Sequence, residues 1–229
     1  TTGETRDKRQ SQVITNCLQA TCNQTSISFG LTVPENGRAA NEHAGRVREM
    51  FGRIANRYDL LNHLLSANVD KRWRRIVATK VRDKLSSSGA CVLDVACGTG
   101  DLSLTLFETT GARVVGTDFC RPMLEIAAGK VSSQVPLIEG DALRLPFRSG
   151  SFDAVTIAFG LRNLSSVENG LAELFRVVKP GGWVAVLEFS YPRNAIFRTV
   201  FGLYFRRVLP MVGGAISGSL GAYVYLPAS

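Results

Sequence analysis

Only two histidines, His43 and His63, occur in 229 residues, and the five cysteines form no Cys-x-x-Cys pair. A zinc site or a dithiol redox motif needs tighter clusters of such ligands, so no metal is assigned. Cys91 and Cys97 flank one apolar run, where a small thiol packs well, and a reduced compartment is the simplest reading. No internal repeat is visible, so a repeat architecture is not expected. The chain does not begin with methionine, and its first 43 residues lack an apolar stretch long enough for a cleavable signal. They are rich in Ser, Thr, Asn and Gln and fit only in part the acid-poor, Arg-rich composition of a transit peptide. A disordered or artefactual extension is expected over 1–43. Charge is absent from Val208 to Ser229, but Pro210, Gly213, Gly214, Gly218, Gly221 and Pro227 make this stretch a poor spanning helix.

Basic residues, by contrast, are in excess. The formal net charge is +8, and residues 46–84 hold eleven Lys/Arg against four Asp/Glu. The densest run is Lys71-Arg72-Trp73-Arg74-Arg75. Nucleic-acid binding would need aromatic platforms interleaved with these charges, and Trp73 alone does not supply them, so no nucleic-acid partner is expected. A solvated face and an anionic membrane surface remain open. With 45% hydrophobic residues, the length suits one globular domain plus extensions.

The most informative stretch is Cys91-Val-Leu-Asp-Val-Ala-Cys-Gly-Thr-Gly-Asp101. A buried strand breaks on glycines and re-enters a helix at Asp101, as a nucleotide-handling turn does. Gly98 and Gly100 let the backbone approach a ligand closely. A dinucleotide loop would place a third glycine where Ser103 stands, and Asp101 would repel a pyrophosphate at the helix N-terminus. S-adenosylmethionine carries a sulfonium and an amino group instead, so acids are welcome here. The pattern resembles motif I of class I S-adenosylmethionine-dependent methyltransferases. Residues 112–117 read as a second strand ending at Asp118, an acid placed to accept ribose hydroxyls; a solvated acid is the alternative. Residues 136–139 read as a third strand followed by Gly140-Asp141-Ala142, and 152–158 as a fourth. Residues 167–178 have helical spacing (Leu171, Leu174, Phe175, Val178), 179–182 read as a turn, and 183–188 as a fifth strand. This alternation predicts an α/β fold, Rossmann-like, with a mostly parallel sheet and helices on both faces.

Val47, Met50, Phe51, Ile54 and Tyr58 form one apolar helical stripe, read first as core packing and second as a ligand lid. Beyond it, Tyr58, Asp59 and His63 interrupt a run of leucines, which suits a substrate with a greasy body and one titratable head. The run Met50-Phe-Gly-Arg-Ile-Ala-x-Arg-Tyr-Asp-Leu-Leu-Asn62 resembles the N-terminal signature of the ubiquinone/menaquinone biosynthesis C-methyltransferases. Phe159-Gly-Leu-Arg-Asn163 resembles their second signature, and Leu187–Ser190 and Tyr204–Pro210 also match. The resemblance covers residues 44–227. It implies SAM-dependent methylation (EC 2.1.1 class) of a ring carbon on a polyprenylated quinol, either demethylmenaquinol or 2-methoxy-6-polyprenyl-1,4-benzoquinol.

The same resemblance implies Thr99, Asp118, Asp141 and Ala142 at the cofactor. Gly98 and Gly100 shape the loop, and Asp94 orients it. Some family members place serine where this chain has Ala158, and only the backbone serves here. For catalysis, Arg162 is expected to stabilise a forming phenolate, because its guanidinium stays protonated. Asn163 would orient the substrate oxygen, with Tyr58, Asp59 and His63 as proton acceptors or relays. A structural salt bridge is the competing role for Arg162.

The expected organisation is a helical substrate lid over 44–85, a SAM-binding core over 90–190 and a C-terminal lid segment over 191–229. Together these make one methyltransferase domain over 44–229. Such folds end with two further strands, which are missing here, so a truncated product of reduced stability is expected. The expected location is cytoplasmic, with peripheral contact to an anionic inner membrane or to other quinone-biosynthesis proteins, and a homodimer is open. Two alternatives stand beside the quinol enzyme. One is a class I methyltransferase of another small apolar molecule; the other is an inactive SAM-binding protein.

Overall fold

The computed structural model describes residues 45–52, 55, 59, 69–87, 89–131 and 133–188. Tyr58, His63, the extension over 1–43, and the segment after Glu188 lie outside the described residues. Residues 45–52 are helical. From there the order is α1 (Val69–Arg82), β1 (Cys91–Val95), α2 (Asp101–Thr110), β2 (Arg113–Asp118), α3 (Arg121–Val131) and β3 (Leu137–Glu139). It continues with β4 (Phe152–Ala158), a 3-10 turn (Leu161–Asn163), α4 (Val167–Val177) and β5 (Val178–Leu187).

The five strands form one sheet in the order β3-β2-β1-β4-β5, and every neighbouring pair is parallel. Parallel strands need crossover helices, which cover both faces, and β1 shows the consequence. All five of its residues are buried. Leu93 and Val95 point to the face packed by Leu174 and Val177 of α4. Val92 points to the other face, with Ala78 and Val81 of α1, Leu102 and Leu106 of α2, and Val131 of α3. Each fully buried leucine or isoleucine on these faces contributes roughly 1.5–3 kcal/mol. The predicted α/β fold with a parallel sheet and helices on both faces is the one observed.

Three details depart from expectation. Residues 179–182 are not a turn ahead of a strand but part of β5, whose pairing with β4 slips between Phe152↔Val178 and Ala154↔Trp183. The extra residues bulge, Gly181 adopts φ +77°, and a Cβ on Gly182 would stand 2.7 Å from the Asp153 carbonyl oxygen. Pairing across the sheet thus overrides the local turn signal. On α4, Leu174 is fully buried but Phe175 is 62% exposed, so only part of the expected stripe faces the core. Cys91 is disulfide-bonded, which the expected reduced compartment does not anticipate, while Cys97 and Cys120 carry free thiols.

Among the described residues, no helix is long and apolar enough to cross a membrane. No cluster of His, Cys, Asp or Glu among them is placed to hold a metal ion.

Candidate functional site

Strand order reverses about β1, because the chain builds outward through β2 and β3 and then returns to place β4 on the other side. In such sheets the crevice at the carboxyl ends of the strands, beside the reversal, is where a ligand fits. A cavity of about 130 Å³ opens there, lined by Gly98 after β1, Asp118 ending β2, Asp141 and Ala142 after β3, and Gly160 and Asn163 after β4. Phe51 from the N-terminal helical stretch closes one side. A smaller cavity of about 40 Å³, lined by Arg74, Asp94, Thr99 and Asp101, shares Ala96, Gly98, Ala158 and Phe159 with it.

The loop after β1 is built on unusual backbone. Ala96, Gly98 and Gly100 all have positive φ, at 52°, 55° and 83°. A Cβ on Gly100 would meet Val131 Cγ1 at 3.0 Å and Ala127 Cβ at 3.1 Å, so glycine lets α2 start tight against α3. Gly98 differs: a Cβ there would meet nothing within 4 Å, and the open space is the cavity. On the far side, a Cβ on Gly160 would come within 2.6 Å of the Ala96 methyl, so the loops after β1 and β4 are pressed together.

Acids hold this loop in place. Asp94 is 1% exposed and accepts hydrogen bonds from Ser103 Oγ at 2.6 Å and Thr156 Oγ1 at 2.8 Å. Burial pushes its pKa from 3.8 up to about 6, against the pull of those hydroxyls and the nearby Arg74. Ser103, which the sequence presents as a missing glycine, is therefore the donor that fixes Asp94. Asp118 accepts from the Gly98 amide through Oδ2 and from the Cys120 amide through Oδ1, each at 2.8 Å. Burial raises its pKa, opposed by those backbone amides. Burial, with Asp118 and Asp94 nearby, also pushes the Cys97 thiol well above its usual value, so it is a packed neutral group. Asp141 is exposed, and its Oδ1 accepts from the Leu143 amide at 2.9 Å in an Asx turn.

An alternating chain of charges runs past the start of α2. Arg74 pairs with Asp70 at 2.7 Å and Asp101 at 3.0 Å; Asp101 pairs with Lys130 at 2.7 Å; Lys130 pairs in turn with Asp59. Asp59 also accepts a hydrogen bond from the Thr99 hydroxyl. Asp59 thus joins the N-terminal segment to the glycine loop.

Of the other expected residues, Asn163 lines the larger cavity, and its Nδ2 donates to the Phe159 carbonyl at 3.3 Å. Arg162 belongs to the same 3-10 turn and pairs with Glu188, just beyond β5, at 2.8 Å. Tyr58 and His63 lie outside the described residues.

The sequence alone offers no role for Glu188, Lys130 or Arg74. Glu188 lies inside a matched motif, and Phe51, expected as core packing or as part of a ligand lid, lines the larger cavity. Arg74 was submerged in a basic run, yet it is 7% exposed. Its four-residue spacing from Asp70 was the one local signal available.

The residues fit S-adenosylmethionine. The open space over Gly98 leaves room for a ligand against the backbone, and the buried carboxylates of Asp118 and Asp94 line the two cavities. Ala142 and Phe51 add apolar surface to the larger cavity.

A model described as the ubiE/COQ5 methyltransferase family matches residues 38–229. The chain is 53% identical over 184 residues to a demethylmenaquinone methyltransferase of Thermus thermophilus, covering 79% of this chain and 82% of that one. It is 46% identical over 198 residues to the ubiquinone/menaquinone biosynthesis C-methyltransferase UbiE of a Geobacter species, strain M21, covering 83% of each. Among solved structures, a SAM-dependent methyltransferase from Thermotoga maritima shares the fold, with TM-score 0.50, 21% identity and 69% of each chain covered. A match over 192 residues of 229 leaves no ambiguity of kinship: this chain belongs to the ubiE/COQ5 methyltransferase family.

Proposed function

We propose that this SAM-dependent methyltransferase methylates a ring carbon of a polyprenylated quinol in respiratory quinone biosynthesis. The acceptor is demethylmenaquinol or 2-methoxy-6-polyprenyl-1,4-benzoquinol. The observation that carries the reading is the turn at Leu161–Asn163. It contributes Asn163 to the cofactor cavity and holds Arg162 against Glu188 at the carboxyl edge of the sheet. The relatives' names support the quinol as acceptor.

S-adenosylmethionine, when bound, supplies a methyl group already activated by its sulfonium. The protein's tasks are then alignment and making the ring carbon electron-rich. Arg162 stabilises the phenolate oxygen as the quinol hydroxyl loses its proton. Glu188 positions the guanidinium through the contact to Nη1. Asn163 orients the substrate oxygen. Asp59, held by Lys130 and Thr99, positions the glycine loop, and Tyr58, Asp59 and His63 are the candidate proton acceptors or relays. Asp118 takes the ribose hydroxyls through its remaining lone pairs, Asp94 and Thr99 serve the amino-acid end, and Asp141 and Ala142 serve the base. Gly98 and Gly100 shape the turn that admits the cofactor, and the Ala158 backbone completes its wall.

Peripheral contact with an anionic membrane surface belongs to the same proposal. Lys71, Arg72, Arg75 and Lys80 are exposed on α1 around Ile76, which is 45% exposed.

The test is transfer of radiolabelled methyl from SAM by the purified chain. Label is expected in short-prenyl demethylmenaquinol or benzoquinol analogues and not in unrelated small apolar acceptors. Binding of SAM with no transfer to either quinol defeats the proposal.

A further inference from the structure

Arg74 sits in the densest basic run of the chain, beside Lys71, Arg72 and Arg75. Those three are exposed, whereas Arg74 is 7% exposed. Burying a guanidinium is costly unless its charge is met. Two carboxylates meet it, those of Asp70 and Asp101, and both contacts run through Nη1. Nη1 carries two of the five N–H donors, so the three on Nη2 and Nε are uncommitted among these ion pairs.

The surroundings say what those donors are for. Arg74 and Asp94 line the same 40 Å³ cavity, which continues into the larger one past Gly98. The N-terminus of α2 opens on that cavity through Thr99, Asp101 and Leu102, and its cap residue, Gly100, has no side chain to satisfy the first amides. A buried guanidinium beside an uncapped helix N-terminus attracts a carboxylate. The buried carboxylate of Asp94 attracts an ammonium. Asp101 lies close enough to oppose an incoming anion, but Lys130, 2.7 Å away, offsets its charge. A small cavity lined by both signs, opening from a larger and mostly apolar one, matches an amino-acid terminus attached to a nucleoside.

We propose that Arg74 receives the carboxylate of the amino-acid end of S-adenosylmethionine, with Asp94 facing its ammonium. The assignment rests on the S-adenosylmethionine reading of the larger cavity. The competing role is a plain tie between α1 and α2, and the two roles differ in which ligands feel the loss.

Calorimetric titration with S-adenosylhomocysteine and with 5′-methylthioadenosine, which keeps the nucleoside thioether but lacks the amino-acid end, separates them. The unaltered chain should bind S-adenosylhomocysteine at least tenfold tighter. Arg74→Met should lower that affinity at least tenfold while leaving 5′-methylthioadenosine within twofold, so that selectivity disappears. Arg74→Lys should restore part of it. Because Met strands the buried Asp70 carboxylate, Asp70→Asn/Arg74→Met provides a second background with the same expected loss of selectivity. Unchanged S-adenosylhomocysteine affinity, or an equal loss for both ligands in both backgrounds, overturns the assignment. Failure of the unaltered chain to bind either ligand overturns the cofactor reading, and this assignment with it.

Discussion

Asp94→Asn sets stability against function at a single atom. Asp94 sits in the middle strand between Gly116 and Thr156, with both oxygens occupied by the Ser103 and Thr156 hydroxyls. Burial raises its pKa from 3.8 to about 6. The folded carboxyl therefore holds its proton more tightly than the unfolded one. Between those two values the folded state binds more protons, so stability falls as pH rises through the window, and the full penalty stands above about pH 6. Moving the pKa that far costs the folded state about 3 kcal/mol at neutral pH. Asparagine has the same shape, offers one acceptor and one donor to hydroxyls that can rotate, and does not titrate. In urea unfolding, the variant should be more stable than the parent at pH 8, by up to about 3 kcal/mol, with the difference shrinking towards pH 4. For a chain of this size that is a melting-temperature gain of roughly 6–12 °C. S-adenosylhomocysteine affinity should drop in the same variant, since the carboxylate is lost. A stability difference that does not vary between pH 4 and pH 8, or a variant less stable at pH 8, refutes the reasoning.

Three further outcomes are expected. Asp118→Ala should weaken S-adenosylhomocysteine binding roughly 10- to 100-fold by calorimetry, because charge-assisted hydrogen bonds of about 1.5–3 kcal/mol disappear. Arg162→Ala should leave that binding within twofold but slow methyl transfer on the order of 100- to 1,000-fold in single-turnover assays; unchanged turnover would remove Arg162 from the mechanism. Gly160→Ala should destabilise the fold by about 1–3 kcal/mol in chemical denaturation. Its φ of −103° suits any residue, so the effect comes from the 2.6 Å approach to the Ala96 methyl alone.

What the sequence reveals here is local. The strand, glycine turn and helix at 91–101 are legible because apolar runs and glycines lie side by side, and Asp118 and Asp141 follow from the strand ends. The partners of those acids are not legible. Ser103 meets Asp94 only because α2 folds back over β1, and Glu188 reaches Arg162 across 26 residues of chain. Lys130 finds Asp59 across a longer gap still. Arg74 is hidden by its neighbours: composition marks the run as basic, and only the packing of α1 on α2 separates the buried charge from the solvated ones. At 179–182 the local turn chemistry is real, but the ladder with β4 absorbs it as a bulge.

The contact between Gly160 and Ala96 has a kinetic consequence. Two loops packed this closely resist moving nearer to each other, so that side of the crevice has little room to tighten around a guest. Entry and exit are left to the other wall, the one that carries Phe51 and is fastened by Asp59 to Lys130 and Thr99. Residence time then depends on that ion pair as well as on the nucleoside's own contacts. Added salt, which screens such a partly exposed pair, hastens departure.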